Sequence, residues 1–349
     1  MRDRVNIFDI AEEAGVSIAT VSRVLSGRTA VRPETRARVM RVVEKYGFRP
    51  NMVATGLSKR NTHTLGVVLP LIDNPFYTKL CIAAQQEAER LGYALLMHQV
   101  VKGAALDGAF TDALIGRRLD GVLLSGDVAA AKDDASVLAC VAQLRPHMPV
   151  VVVNPPQGDM GCPCLYSDLA GCARMAVRHL HRLGHVRIAM LGGHPAAAPH
   201  SREAGFAEET ARLRLPAYPA THGDTPADGA QCARQLFAQV PPAARPTALV
   251  AFNDLVALGT LRHLKELGLR VPQDVAMVGC DNQFFAPYTD PPLTTVDLCI
   301  EDTGKQAVRL LLEAQGEEPA PRAQVFTPRL VVRGSCGERG TGDGGTPTF

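Results

Sequence analysis

Beyond residue 64, polar and aromatic side chains recur directly after apolar runs. Asp73, Asn74, Phe76 and Tyr77 follow LGVVLP, His98 closes YALLMH, and Ser125 closes GVLLS. Asn154 closes VVVVN, Asn253 follows TALVAF, and Asp281 with Asn282 follows DVAMVG. Carboxylates, amides and hydroxyls of this kind orient and discriminate ligand hydroxyls, while the rings of Phe76, Tyr77, Phe284 and Phe285 offer apolar faces. Taken singly, each is also what a turn or a helix N-cap requires. Ligands of open parallel sheets bind where strands end, so the convergence of these groups predicts a site for a sugar or similar polar metabolite.

A second chemistry is written near the start, in GVSIATVSRVLSGR at residues 15–28. Val21, Val24 and Leu25 recur at helical spacing and turn one face inward, which leaves Ile18, Ala19, Ser22 and Arg23 outward. Arg23 can pair in bidentate fashion with guanine, and Ile18 and Ala19 can pack on thymine methyls. Ser17, Thr20 and basic residues such as Arg49 suit phosphate contacts that set register.

Catalytic patterns are missing. The chain has no G-x-S-x-G elbow, no Walker A loop and no G-x-G-x-x-G after a strand, so an enzyme is not expected and no cofactor is implied. His181 and His185 stand four apart, but Gly184 falls between them and no carboxylate completes a metal triad. The nine cysteines are scattered, and GCPC, with Cys162 and Cys164, has no second pair for tetrahedral zinc; reduced thiols are expected and no metal.

These groups need elements to hold them. A chain of 349 residues has room for two or three domains, and 46% hydrophobic residues with mean hydropathy near zero fit a soluble protein with a sizeable core. Charge is divided unevenly: residues 1–61 carry a net +6 and the remainder −4, a basic module on a mildly acidic body that suits a polyanion such as DNA. Helices are predicted from Ile7 after the cap Asn6, from Ser17, and from Pro33 to Gly47, with a shared core of Ile10, Ala14, Val16, Val21, Val24, Leu25, Val39, Val42 and Val43. From Leu65 on, strands at 65–70, 93–98, 121–125, 150–154, 187–191, 247–252 and 274–279 alternate with helices such as 78–91, 170–183 and 254–267. Continuous Val, Leu and Ile runs are the mark of buried parallel strands, and this length of alternation predicts two doubly wound α/β subdomains with a break near PPQGDMGCP. The start has no apolar leader and no run is long enough to span a bilayer, so a cytoplasmic protein is expected.

The blocks IFDIAEEAGVSIATVSRVLSG, VRPETRARVMRVVEKYGFRPNMVATGL, LGVVLP with DNPFY, FNDLVALGTLRHLKELGLRVPQDVAMVGCDN and PPLTTVD stand here in one order. In that combination the chain resembles the lactose/galactose repressor family of bacterial transcription regulators over nearly its whole length. The resemblance implies a helix-turn-helix headpiece at 1–49, a hinge helix and linker at 50–62, and an effector-binding core of the periplasmic-binding-protein type at 63–334. It implies a first subdomain of about 63–160 and 293–322, a second of about 161–292 and 323–334, and three chain crossings; the tail at 335–349, with the Gly-rich ERGTGDGGTPTF and no apolar period, is expected to be disordered from its composition. Ser17, Ile18, Ala19, Thr20, Ser22 and Arg23 fall on DNA-contact positions, joined by Arg49 and Asn51, and Leu57 matches a leucine wedged into the minor groove. Arg202, Asn253 and Asp281 match effector-binding positions, and Phe76 and Asn154 fall on pocket positions, with Tyr77 and Ser125 beside them.

Implied partners are double-stranded, pseudopalindromic operator DNA, a small carbohydrate-like effector, and a second copy of the chain as a homodimer or dimer of dimers, with no membrane. Three positions depart from the family pattern. Arg32 replaces the usual Ser-like cap of the third helix, Thr55 replaces a hinge Arg or Gln, and Thr225 replaces a loop aromatic. The competing reading, a soluble sugar-binding receptor of the periplasmic transport type, would need an export signal and has no use for residues 1–61.

Overall fold

The computed structural model describes residues 5–25, 31–48, 61–70, 72–100, 106–126, 134–156, 159–195, 200–314 and 323–337. The chain divides into two compact units, Met1–His63 and Thr64–Phe349. Arg49, Asn51, Thr55 and Leu57 lie outside the described residues.

In the first unit, α1 (Ile7–Glu13), α2 (Ile18–Leu25) and α3 (Pro33–Tyr46) form the expected trihelical module. Asn6 and Asp9 form a reciprocal cap on α1: Asn6 Oδ1 accepts from Phe8 N at 2.8 Å, and Asp9 Oδ2 accepts from Asn6 N at 2.8 Å. Two N–H groups that the first helical turn leaves unpaired are satisfied in this way. Gly15, at φ +61°, supplies the left-handed residue that turns the chain towards α2. Ile10, Ala14, Val21, Val24, Val39 and Val42 are buried together, while Val16, Leu25 and Val43 pack half-buried around them. Arg32 makes no side-chain cap at the start of α3, in keeping with its departure from the family pattern.

The second unit carries two sheets. The first is six-stranded and wholly parallel, built from β1 (Thr64–Leu69), β2 (Ala94–Gln99), β3 (Val122–Ser125), β4 (Val150–Val153), β5 (Cys164–Ser167) and β10 (Ala323–Phe326), in the order β10-β5-β4-β3-β1-β2. The second is five-stranded, in the order β11-β9-β8-β7-β6: β6 (Ile188–Leu191), β7 (Ala248–Ala251), β8 (Ala276–Cys280) and β9 (Thr295–Asp297) run parallel, and β11 (Arg329–Val331) is antiparallel to β9. The connecting helices are α4 (Pro75–Arg90), α5 (Gly108–Gly116), α6 (Asp134–Leu144), α7 (Leu169–Arg182), α8 (Arg202–Arg212), α9 (Pro226–Gln239), α10 (Asp254–Glu266) and α11 (Ile300–Glu313).

All seven strands expected from apolar runs are present, but the limits of the subdomains differ from those expected. PPQGDMGCP is a loop inside the first subdomain, because β5 follows it and pairs with β4. The chain crosses at Asp168, whose carboxylate caps α7 by accepting from Gly171 N at 2.7 Å. Likewise β9 belongs to the second sheet and β10 to the first, so the later crossings fall at 298–299 and 327–328. These strands are three or four residues long and carry Cys, Thr or Gln, too little apolar sequence to mark a sheet. The tail also begins later than expected: Ser335 and Cys336 are buried, and Ser335 Oγ donates to Met277 O at 2.7 Å and accepts from Thr294 N at 2.8 Å.

Cys172 on α7 and Cys280 at the end of β8 bring their sulfurs together, 108 positions apart in sequence, so no local spacing announces their approach. The GCPC cysteines remain free.

Candidate functional site

Ser17, just before α2, and Ile18, Ala19, Ser22 and Arg23 on it are exposed and Thr20 is half-buried, while Val21 and Val24 are buried. Ser17 Oγ accepts from Thr20 N at 3.2 Å and lies 2.9 Å from Thr20 Oγ1. This local bond starts the helix and holds both hydroxyls at its N-terminus, where the helix dipole and unpaired N–H groups favour an anion such as phosphate. Ile18 is 40% exposed, an apolar side chain left on a polar face where folding alone gives it no role.

In the second unit the geometry centres on the loop after β8. Arg202, first residue of α8, is capped into place by Ser201, whose Oγ accepts from Ala204 N at 3.2 Å. Three positions on, Gly205 lies so close to the Ala170 backbone that a Cβ there would collide with it, which fixes α8 tightly on α7. Arg202 Nη2 donates to Asp281 Oδ1 at 2.6 Å, with both residues buried, and its guanidinium lies 4.7 Å from the ring centre of Phe252. Arg202 Nε is buried and has no acceptor among the described residues. A buried donor in this state costs about 1–3 kcal/mol, and a hydroxyl ligand would satisfy it.

Asp281 and Asn282 are consecutive residues in the left-handed region, at φ +107° and +48°. Such backbone persists only where its surroundings hold it. Asn282 donates from Nδ2 to Asp297 at 2.9 Å, accepts at Oδ1 from Arg333 at 2.8 Å, and accepts at its carbonyl from Lys79 Nζ at 3.3 Å. Asp254, fully buried, accepts from Gln283 N at 2.7 Å and from Thr295 Oγ1 at 2.7 Å.

Burial raises the pKa of Asp281 to about 6, against the pull of Arg202 and Lys79. Burial, with the Asp281 charge nearby, raises Asp254 to about 7. The site therefore holds two carboxyl groups whose protonation changes near neutrality.

The other expected residues divide into two groups. Asn253 is buried, but its Oδ1 accepts from Val256 N at 2.8 Å as the cap of α10 and its Nδ2 donates to Asp224 O at 2.9 Å, so half its amide serves the scaffold. Asn154, at φ +49°, accepts from Ser167 N at 2.8 Å and ties β4 to β5. In the first subdomain, Ser125 is fully buried and its Oγ has no partner among the described residues, while Phe76 is buried edge-on against half-buried Tyr77 at 5.1 Å. Lys79, on the same helix as Phe76 and Tyr77, reaches Asn282 and so joins the first subdomain's strand ends to the Asp281 loop.

Sequence reasoning passed over Lys79, Phe252, Asp254 and Arg333. Asp254 and Phe252 flank Asn253 and share its strand-end signal, whereas Arg333 reaches the loop from 51 residues away and Lys79 from 203, with nothing local to mark them. His181 Nδ1 lies 3.3 Å from His185 O and His185 Nδ1 lies 3.0 Å from Thr247 Oγ1. Among the described residues no group of three or more His, Cys, Asp or Glu is placed to hold a metal ion.

Residues 6–51 match the model of bacterial regulatory proteins of the lacI family, and residues 177–336 match a periplasmic binding protein-like domain. The HTH-type transcriptional regulator MalR of Streptomyces coelicolor is 34% identical, over 96% of this chain and 98% of its own. The HTH-type transcriptional repressor CytR of Escherichia coli is 31% identical over 94% and 95%. Among solved structures, the lac repressor dimer bound to operator and the anti-inducer ONPF superimposes with a TM-score of 0.84 at 26% identity, covering 96% of this chain and 99% of that one. The transcriptional regulator CelR in complex with cellobiose gives a TM-score of 0.65 at 29% identity, covering 95% and 100%. With a helix-turn-helix unit, a two-sheet core and full-length relatives of this kind, the chain belongs to the LacI family of bacterial regulatory proteins, transcriptional regulators that bind DNA.

Proposed function

We propose that this regulator binds a pseudopalindromic operator as a homodimer, acts as a repressor, and changes its operator affinity when a small hydroxyl-rich effector enters the cleft at Asp281. The observation that carries the effector reading is the buried Arg202–Asp281 pair at 2.6 Å. One partner is a fixed donor and the other a fixed acceptor, and adjacent hydroxyls of a sugar match both at once. Phe252 and Phe76 supply apolar faces, and Ser125 Oγ and Arg202 Nε are buried polar atoms for such a guest to bind. The cellobiose complex of CelR and the ONPF complex of the lac repressor support a carbohydrate-like ligand.

On DNA, Arg23 reads a G·C pair, Ile18 and Ala19 pack on T·A pairs, and Ser17 and Thr20 fix register on phosphates. Two copies related by a twofold axis present two such helices to two half-sites. Effector and operator binding are then coupled through the two subdomains, by about 1–3 kcal/mol in allosteric proteins generally.

The test is a screen of mono- and disaccharides and nucleosides by thermal shift on the full chain, followed by operator selection with and without each hit. A hit that raises Tm and alters operator affinity supports the reading. A protein stabilised only by ligands that still bind Asp281→Ala would refute the cleft assignment.

A further inference from the structure

The GCPC segment lacks the second cysteine pair that tetrahedral zinc needs, yet two neighbouring thiols are a sufficient ligand set for a softer ion. Cys164 is the first residue of β5, as Thr64 is of β1. The strands β1, β3, β4 and β5 run parallel, so these two residues open their strands at one end of the first sheet, while Ser125 and Asn154 stand at the other. The pair therefore belongs to neither the Asp281 site nor α2.

The two side chains meet each other. The Cys162 thiol donates to Cys164 Sγ, and Cys164 Sγ donates to Cys162 O at 3.4 Å. Tyr166, two residues along β5 and so on the same face as Cys164, donates its hydroxyl to the same sulfur. Cys164 is buried and Cys162 is half-buried, which anchors one sulfur in the core and leaves the other open to solvent. Met160, two residues before Cys162, is buried in the same apolar cluster as Cys164 and brings a soft thioether into short reach along the chain. Gly161, at φ +60°, has the Arg145 guanidinium standing where a Cβ would be. Arg145 favours negative charge on Cys162; Asp159 disfavours it, but is exposed and accepts from Gly161 N at 2.8 Å.

We propose that Cys162 and Cys164 bind a soft monovalent cation, Cu(I), through both sulfurs. Each thiol releases its proton to solvent as its sulfur takes the metal, so two thiols and one Cu(I) give one bis-thiolate complex and two protons. Tyr166 steadies the Cys164 thiolate by its hydroxyl, and Met160 adds a thioether. Zn(II) does not fit, because among the described residues no group of three or more His, Cys, Asp or Glu is placed to build its four-donor shell. Thiolate and thioether donors are those that select Cu(I). The site does not rest on the effector reading above.

The experiment titrates the reduced full chain, free of oxygen, with Cu(I) held by the chelator bicinchoninate, and follows loss of the chelate colour and the thiolate-to-copper absorption in the ultraviolet. The chain should withdraw one Cu(I) from the chelator and should not retain Zn(II) through gel filtration. Cys162→Ser and Cys164→Ser should each weaken binding about a hundredfold or more, and Tyr166→Phe about tenfold. Met160→Leu, close in volume, should weaken it less than either cysteine variant. Cys172→Ala, which removes one of the sulfurs that meet between α7 and β8, should not weaken it. No withdrawal of Cu(I), binding undiminished in both cysteine variants, equal loss in Cys172→Ala, or Zn(II) held as tightly as Cu(I) would overturn the proposal. Unchanged affinity in Met160→Leu would remove Met160 from the site. Thermal unfolding without metal confirms that each variant is folded, and the half-buried Cys162 carries the test if Cys164→Ser does not fold.

Discussion

Arg202 and Asp281, 79 positions apart, meet at 2.6 Å where the first turn of α8 faces the residue that follows β8. Each is buried, and each has polar capacity beyond their shared bond. On the proposed reading, the pair exchanges part of its mutual contact for a ligand's hydroxyls.

Asp281→Ala should abolish the response to effector while leaving operator affinity within a few-fold of the native value. Arg202→Ala should do the same, and both variants should cost stability, because each leaves a buried charge without its partner, a loss of about 3–5 kcal/mol where such pairs are broken. Operator binding titrated with and without effector, together with denaturant unfolding, checks both. A normal effector response in either variant would remove the pair from the site.

Arg23→Ala should relax discrimination at one base pair in each half-site, by about 1–3 kcal/mol. Binding-site selection with the native and variant chains reads this directly. Equal weakening on every sequence would reduce Arg23 to a phosphate contact, and G·C pairs selected opposite Ile18 and Ala19 would refute the methyl contacts.

Arg32→Ser should stabilise the headpiece by about 1 kcal/mol, since a serine at this position supplies the side-chain cap that α3 lacks. Slower proteolysis within residues 1–48, or greater amide protection in α3, is the expected readout. No change would mean that the first turn of α3 is already satisfied by solvent.

Asp254 and Asp281 have pKa values of about 7 and about 6, above those of the unfolded chain, so between pH 7 and pH 4 the native state holds more protons at these groups. Their contribution makes the fold more stable as pH falls through that window. Thermal unfolding from pH 8 to pH 5 should show the native chain gaining on Asp254→Asn towards acid; a constant difference would contradict the raised carboxyls. Glu87 and Glu209 act oppositely. Arg90 and Arg309 hold Glu87, and Arg178 and Arg212 hold Glu209, each at about 2, so their stabilisation disappears only below the ordinary carboxylate range.

Period and punctuation made the trihelical module, the buried strands and the outward face of α2 legible in sequence. Apolar residues at helical spacing have one way to pack, and Gly15 and Pro33 mark the turns. The short strands at 164–167, 295–297 and 323–326 were not legible as members of their sheets, because backbone pairing with a neighbour, not their own side chains, defines them. At the site, Asp281 was visible as a strand-end carboxylate. Its raised pKa was not, since that depends on burial, with the Asp297 charge nearby, outweighing the pull of Arg202 and Lys79, which arrive from two separate helices. Asn253 shows the converse: a residue type expected to bind ligand also spends much of its hydrogen bonding on capping α10.

The chain passes between the two sheets three times, at Asp168, at 298–299 and at 327–328. A single tether would let the two halves swing and twist in any direction. Three side-by-side tethers remove most of those degrees of freedom and leave a narrow family of rotations about an axis through the connections. On the proposed reading, a signal entering at Asp281 is given a direction before any ligand arrives, and substitutions that lengthen a tether should blur that direction without touching a single ligand contact.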